Sequence, residues 1–534
     1  MKKGNKALAA LLVTGLLFAG CSKDSGTSSE AYELKDITFP LEEAVSLKFM
    51  TQSSPLAPTD PNDKLIYKRL AEKTGVNIEW KNYTTDSFIE KRNLTIASGD
   101  LPDAILDAVY SDYDLQKLGK DGTIIPVEDL IDQYMPNLQK VLEAKPEYRS
   151  MITATDGHIY AFPWIEELGA GKENIHSIDT FPWINVEWLN NLGLDMPTNM
   201  EELKEVLLAF KNDDPNGNGQ ADEIPLSFII NHGGEDFAFL FNPFGLGDNW
   251  DHTVVSNDGE VIFTAADEGY RDAMMYFADL YKNNLIDEEA FEQDFNTYVA
   301  KGKDEKYGLY FTWDKANISG DNDHYELMPP LADAEGNIHV ARTNGMGFDR
   351  GKMVITSANE NLELTAKWID QLYDPVQSVQ NNWGTYGDTE QQNIFEYDES
   401  ANMLKHLALE GTAPAELRQK TNIGGPLAIL DEYYGVVTTK PDDAVGRLNQ
   451  MKEVMSPHMN ADNIYPKVFF SLDELKELSS IETDLFAYVH RKRAEWIKTG
   501  KAEEEWGEYL AELDRLKFPT WLQIKQDGYD RNSN

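Results

Sequence analysis

Apolar positions along this chain repeat with two different periods, and the switches between them mark out its elements. Val45-Ser46-Leu47-Lys48-Phe49-Met50 alternates apolar with polar, as a strand with one covered face does. From Lys64 to Thr74, Leu65, Leu70 and Ala71 recur at helical spacing, and Gly75 stands where a helix C-cap is expected. Val76-Asn77-Ile78-Glu79-Trp80 alternates again. Strand, helix and strand in about 35 residues form a βαβ unit, so a parallel sheet is predicted. Phe88 to Ala97 reads as another helix, stopped by Ser98-Gly99-Asp100-Leu101-Pro102, and Ala104-Ile105-Leu106 reads as a short buried strand.

The middle of the chain is more helical. Thr198-Asn199-Met200-Glu201 has the form of a capping box, and Met200, Leu203, Val206, Leu207 and Phe210 then keep an apolar stripe. Gly269 to Asn284 and Asp287 to Ala300 are helix candidates, while Gly308 to Trp313 and Gly351 to Thr356 read as strands. A second capping box opens at Ser471 with Glu474. Its long helix carries Leu475, Leu478, Ile481, Leu485, Val489 and Trp496 on one face and stops at Gly500.

The amino terminus follows a different logic. Lys2, Lys3 and Lys6 precede an apolar run from Ala7 to Phe18 that is too short to span a bilayer, and Ala19 and Gly20 follow, as in a cleaved export signal over residues 1–20. Cys21 comes next and is the only cysteine in 534 residues. The arrangement resembles the lipobox of bacterial lipoproteins, with Phe18 standing where leucine is usual. That resemblance implies two acyl chains on Cys21, enough for stable anchoring. Ser22 to Ser29 is small and polar, so residues 21–36 are read as a tether and the fold is expected to begin near Ile37. No later apolar run is long enough for a transmembrane helix.

Composition narrows the function classes. Some 500 ordered residues exceed one compact core, so at least two domains are expected. Lys plus Arg is 48 against 92 Asp plus Glu, a net charge of −44. Such a surface repels nucleic acid. There is no Gly-x-Ser-x-Gly, no His-Glu-x-x-His and no phosphate-binding loop, since Gly169-Ala170-Gly171-Lys172 runs into Glu173. The nine histidines show no metal spacing. Among 92 acids the sequence does not exclude a glycosidase carboxylate pair, but acids in such numbers usually form a solvated face. A binding protein is expected rather than an enzyme.

The sharpest local chemistry is the run from Asp214 to Pro225. Asp214, Asn216, Asn218, Gln220 and Asp222 fall at alternate positions, Glu223 follows, and Gly219 sits sixth, where a calcium loop makes its sharp turn. Oxygen-only ligands suit a hard cation, with Gln220 contributing its carbonyl. Pro225 holds the twelfth position, so this is not a standard EF-hand. From the residues alone the loop is either such a site or a polar turn closing the helix that ends near Phe210.

Taken in order, several runs resemble the extracellular solute-binding proteins of ABC importers (family 1). They are Leu94 to Asp103, Gly122 to Pro126 before Glu128, Asp156 to Pro163, Trp188 to Gly193, Asp214 to Pro225, and the C-terminal helix with Trp506 and Tyr509. The resemblance is to the large, calcium-containing, oligosaccharide-binding branch that includes alginate-binding proteins. It implies an α/β, periplasmic-binding-protein-like fold of two discontinuous lobes, a hinge and an interlobe ligand cleft. Residues 37–162 and 345–385 are assigned to lobe 1, and 163–344 with 386–534 to lobe 2. It further implies calcium held by Asp214, Asn216, Asn218, Gln220, Asp222 and Glu223, in a structural role. The expected partners are a saccharide and a membrane permease. The chain is expected to be a monomer tethered outside the cell membrane, with a Gram-positive host favoured. A peptide or signalling ligand on the same scaffold is the alternative, and a surface glycosidase a remote one.

Sugars present apolar C–H faces and many hydroxyls, so aromatic and polar side chains on cleft-facing loops are sought. Trp313 ends a strand, Trp383 and Tyr386 sit in a glycine-rich stretch, and Asp107 and Tyr110 follow the strand at Ala104. Trp164 and Trp250 lie near the expected hinge, and Arg342 and Asn344 near the return crossing. Trp188 and Trp368, on helix faces, are expected in the core.

Overall fold

The computed structural model describes residues 37–533, apart from 321, 410, 411, 413 and 460–463. The signal, Cys21 and the tether lie outside the described residues.

Among the described residues the chain forms fourteen strands. The first four are β1 (Val45–Ser53), β2 (Val76–Thr84), β3 (Ala104–Leu106) and β4 (Phe162–Glu166). The middle six are β5 (Phe181–Asn185), β6 (Ile224–Leu226), β7 (Thr253–Val255), β8 (Val261–Phe263), β9 (Tyr307–Thr312) and β10 (Tyr325–Leu327). The last four are β11 (Phe348–Ile355), β12 (Phe395–Asp398), β13 (Met403–His406) and β14 (Leu427–Ile429).

Two sheets organise the two lobes. The first has the order β14-β4-β11-β3-β1-β2, and the second β10-β5-β9-β6. The helix Leu65–Thr74 crosses from β1 to β2, which run parallel in register from Val45 opposite Val76. Gly75 closes it at φ 73°, the left-handed conformation that glycine adopts without strain. The alternation in β1 places Leu47 and Phe49 against Trp368 on one face, with Phe49 and Trp368 edge to face at 5.2 Å. Met50 faces the other side with Phe88. In the second lobe every residue of β9 is buried. Gly308 is required there, because a Cβ would lie 2.4 Å from Phe210 and 2.8 Å from the Pro225 carbonyl.

The C-terminal helices Leu472–Thr499, Ala502–Arg515 and Phe518–Ser533 complete the core of lobe 2. The apolar stripe from Leu475 to Trp496 is buried in it, and Trp496 meets Tyr509 edge to face at 4.7 Å. Trp188 and Trp368 are both core residues, as their helix positions suggested.

Several expectations are corrected. Strand β4 belongs to the first sheet, so lobe 1 runs on to Glu166 instead of ending at residue 162. Strand β14 pairs with β4, Leu427 opposite Trp164, so residues 386–430 belong with lobe 1 and not lobe 2. Their hydrophobic side chains, Ile394, Phe395, Leu404 and Leu427, pack against the helix Pro375–Trp383. The expected helix over Asp287–Ala300 is two elements, because Asp294 caps a new helix at Phe295 by accepting from the Thr297 N–H. The N-cap near residue 198 is Asn199, whose side chain accepts from the Glu201 and Glu202 N–H groups, while Glu202 reaches back to the Thr198 N–H.

Candidate functional site: the interlobe cleft

The chain passes between the sheets three times: between β4 and β5, between β10 and β11, and after β14. These passages form a hinge with its own small core of Leu168, Ile175 and Ala444, against which Trp313, Tyr434 and Leu448 pack. Arg447 fastens it. The fully buried guanidinium donates to the carbonyls of Trp313 (2.7 Å), Ile175 (3.3 Å) and Ile178, and lies 3.6 Å from the centre of the Trp313 ring. Trp164 and Trp313 approach one another here across His176, at ring distances of 6.3 and 5.7 Å. Glu166 accepts a 2.6 Å bond from Asn382 and sits 3.6 Å from His176 Nε2, which is buried without a hydrogen-bond partner.

Beside the hinge lies a cavity of ≈ 500 Å³. Lobe 1 contributes Asp112 and Arg350; lobe 2 contributes Trp250, Asp251, Asp236 and Arg493; the linker before Ser471 contributes Tyr465 and Lys467. Trp250 also lines a recess of ≈ 30 Å³ with Asp179 and Thr180. Trp250 is 61% exposed, although Asp248 and Asn249 immediately before it are buried. An indole held out of the core by buried neighbours is a preformed stacking face.

The polar groups around this space divide into satisfied and unsatisfied ones. Asp236 takes bonds from both terminal nitrogens of Arg493 (2.9 and 2.7 Å) and from the N–H groups of Asn231 and Ala238 (2.7 and 2.9 Å). With four donors it is scaffold. Asp179 Oδ2, Thr180 Oγ1 and Arg350 Nη1 are buried without a hydrogen-bond partner. Burial pushes the Asp179 carboxyl up to about 7, with the charge of Asp251 adding to it and those of Arg447 and Lys467 opposing it. Arg350 is held by the Lys467 carbonyl (2.7 Å), by Asp112 (3.4 Å) and over the Phe469 ring (3.7 Å), leaving Nη1 spare. Buried donors and acceptors without partners are costly and are retained where a ligand satisfies them.

The nine candidate contacts separate. Trp250 and Asn344 line the 500 Å³ cavity, and Arg342 with Asn344 lines a neighbouring one of ≈ 220 Å³. Asn344 is committed to the Thr253 carbonyl (2.9 Å) and the Tyr465 N–H (2.7 Å), and Arg342 to the Gly171 carbonyl (2.7 Å). Asp107 ion-pairs with Lys352 at 2.5 Å on the lobe 1 wall. Tyr110 stacks on Arg92 at 4.1 Å with its hydroxyl buried and unpaired. Trp164 and Trp313 are at the hinge. Trp383 and Tyr386 line none of these cavities: Trp383 is buried against His406 (5.1 Å), and Tyr386 is stacked on Tyr397 (4.8 Å). Gly384 between them serves close packing, since a Cβ would meet Thr421 Oγ1 at 2.4 Å.

The loop between the helix Met200–Asn212 and β6 is exposed and laced by its own side-chain oxygens. Asp214, in a left-handed conformation (φ 46°), accepts from the Gly219 N–H at 3.0 Å, and Asn218 accepts from Gln220 at 2.6 Å while donating to Asp222 at 2.9 Å. Glu223 Oε1 is buried with no partner. Burial, with Asp222 and Asp214 nearby, raises the Glu223 carboxyl above its usual range. Three carboxylates on one short loop, one with an orphaned oxygen, are the donor type that a hard divalent cation takes.

The family's sequence pattern, bacterial extracellular solute-binding protein, matches residues 58–379. This chain belongs to that family. A substrate-binding protein of a fructooligosaccharide ABC transporter, FusA of Streptococcus pneumoniae serotype 4, is 58% identical over 533 residues, 99% of each chain. The solved structure of S. pneumoniae FusA in complex with kestose superposes with a TM-score of 0.90 at 60% identity, covering 91% of this chain and 99% of that one. A structure of the alginate-binding protein AlgQ2 shares the fold, with a TM-score of 0.72 at 22% identity over 93% of this chain and 100% of that one.

Proposed function

We propose that this solute-binding protein is the receptor of an ABC importer for a short fructose-containing oligosaccharide. The observation that carries the reading is the cleft itself: exposed Trp250 beside the unsatisfied Asp179, Thr180 and Arg350, between two lobes joined by a three-passage hinge. The indole stacks on a sugar face, and the polar atoms take hydroxyls. Closure of the lobes buries the ligand. The relatives that support this reading bind oligosaccharides: FusA is named for fructooligosaccharides and was solved with kestose and, as an EF-hand mutant, with fructo-nystose. Calorimetry with kestose and maltotriose tests it. Kestose should bind saturably and unchanged, and Trp250→Ala should weaken it about tenfold or more, the equivalent of about 1.4 kcal/mol. Equal binding of both sugars, or of wild type and variant, would remove the proposal.

Two further assignments belong to it. Asp214, Asn216, Asn218, Gln220, Asp222 and Glu223 hold a structural calcium ion, Gln220 through its carbonyl. Cys21 carries the lipid that keeps the receptor beside its permease on the outer face of the membrane. Palmitate should label the wild type and not Cys21→Ser; equal labelling sinks the anchor.

A further inference from the structure

We propose that Glu187, Glu305 and His324 form a second metal site, for a divalent first-row transition ion such as zinc, at one end of the second sheet. One ligand atom from each of the three lies within 4.8 Å of the other two. His324 Nδ1 is 3.1 Å from a Glu305 oxygen and 3.5 Å from a Glu187 oxygen. A tetrahedral zinc ion ~2.0–2.1 Å from each ligand sets ligand separations of ~3.3–3.4 Å, close to the two that His324 Nδ1 makes with the carboxylates.

The scaffold is set by neighbouring strands and not by the cluster itself. Glu187 follows β5, Glu305 precedes β9 and His324 precedes β10, and these strands are adjacent in the order β10-β5-β9. The Val186 N–H donates to the His324 carbonyl at 2.8 Å, and Tyr325 pairs with Asn185. Lys315 Nζ straps the segment, donating to the carbonyls of Tyr325 (3.0 Å) and Asn322. Asn322 accepts from the His324 N–H at 3.0 Å.

Charge and ligand chemistry decide the occupant. A single Nδ1 proton can satisfy one carboxylate, yet two converge on that nitrogen in a chain of net charge −44. A divalent ion answers both, with the imidazole binding through Nδ1. One nitrogen with two carboxylates suits zinc, whereas the all-oxygen loop at Asp214 suits calcium. Three protein ligands leave a fourth position for water. The ion would staple three connections of lobe 2, and none of its ligands lines the 500 Å³ cavity.

Zinc chloride titrated by calorimetry into tag-free, calcium-saturated protein tests the site. The wild type should take up one equivalent of zinc and melt several degrees higher with it. His324→Ala should lose that binding and that shift while melting like the wild type without zinc. Glu305→Gln, which preserves side-chain size, should bind at least tenfold more weakly and decides the matter if the alanine variant fails to fold. No zinc uptake by the wild type, or equal uptake by both variants, would overturn the proposal.

Discussion

Asp179 shares its surroundings with three charges, and they do not cancel. Burial and Asp251 favour its protonated form, while Arg447 and Lys467 favour the carboxylate, and the balance lies at about 7. An unfolded aspartate titrates near about 3.9. The folded state therefore holds an extra proton between roughly pH 4 and 7, and this group's contribution to stability falls as pH rises through that window. Asp179→Asn removes the dependence. Urea unfolding should show variant and wild type nearly equal below pH 4, with the variant gaining about 2–4 kcal/mol on wild type above pH 7. A difference that does not change with pH would refute the assignment. The same atom illustrates what the sequence conceals: among 92 acids, nothing marks Asp179 and Glu223 as the ones with a buried oxygen that lacks a partner. Trp250 was legible as a large aromatic in a loop, but its exposure follows from the burial of Asp248 and Asn249 beside it, which only the fold reveals.

Elements were most legible where a local chemical signal marked both ends. The helix Leu472–Thr499 begins at a complete capping box, Ser471 with Glu474, and ends at Gly500 with φ 71°. Ser471→Ala should cost about 1 kcal/mol in chemical denaturation, and a loss near zero would show that packing alone fixes the start. Where a polar residue sat inside an apparent stripe, the reading failed: Asp294 starts a helix that periodicity had begun at Asp287. Strand β14 was lost for a different reason. Leu427-Ala428-Ile429 is three apolar residues long, and so short a run carries no record of which sheet it joins. The lobe division moved with it. Arg350 was missed similarly, since the strand was read from Gly351 although it starts at Phe348.

At the scale of the molecule, the proposed binding site is divided between two sheets, while the proposed calcium loop, from Asp214 to Glu223, leads into β6 at the edge of one. A loop that pins the end of β6 should support lobe 2 without touching the ligand. Thermal unfolding with and without a chelator checks this. A ligand at a hundred times its dissociation constant adds about 2.7 kcal/mol, so calcium removal should lower the melting temperature by a few degrees or more. An unchanged transition would refute the role.

The order of strands in the first sheet has a consequence for export. Strand β4 lies between β11 and β14, so after it is made it has no sheet partner until Phe348 to Ile355 arrives, and its other edge waits for Leu427. A nascent chain more than 300 residues long thus remains without a closed first lobe, which is the state that export by threading requires. Chains cut before Phe348 should be digested rapidly by protease, whereas in chains extending past Ile429 the first lobe should survive as a resistant fragment. The strand order itself makes completion of the first lobe one of the last events of synthesis, after Ile429 has been added.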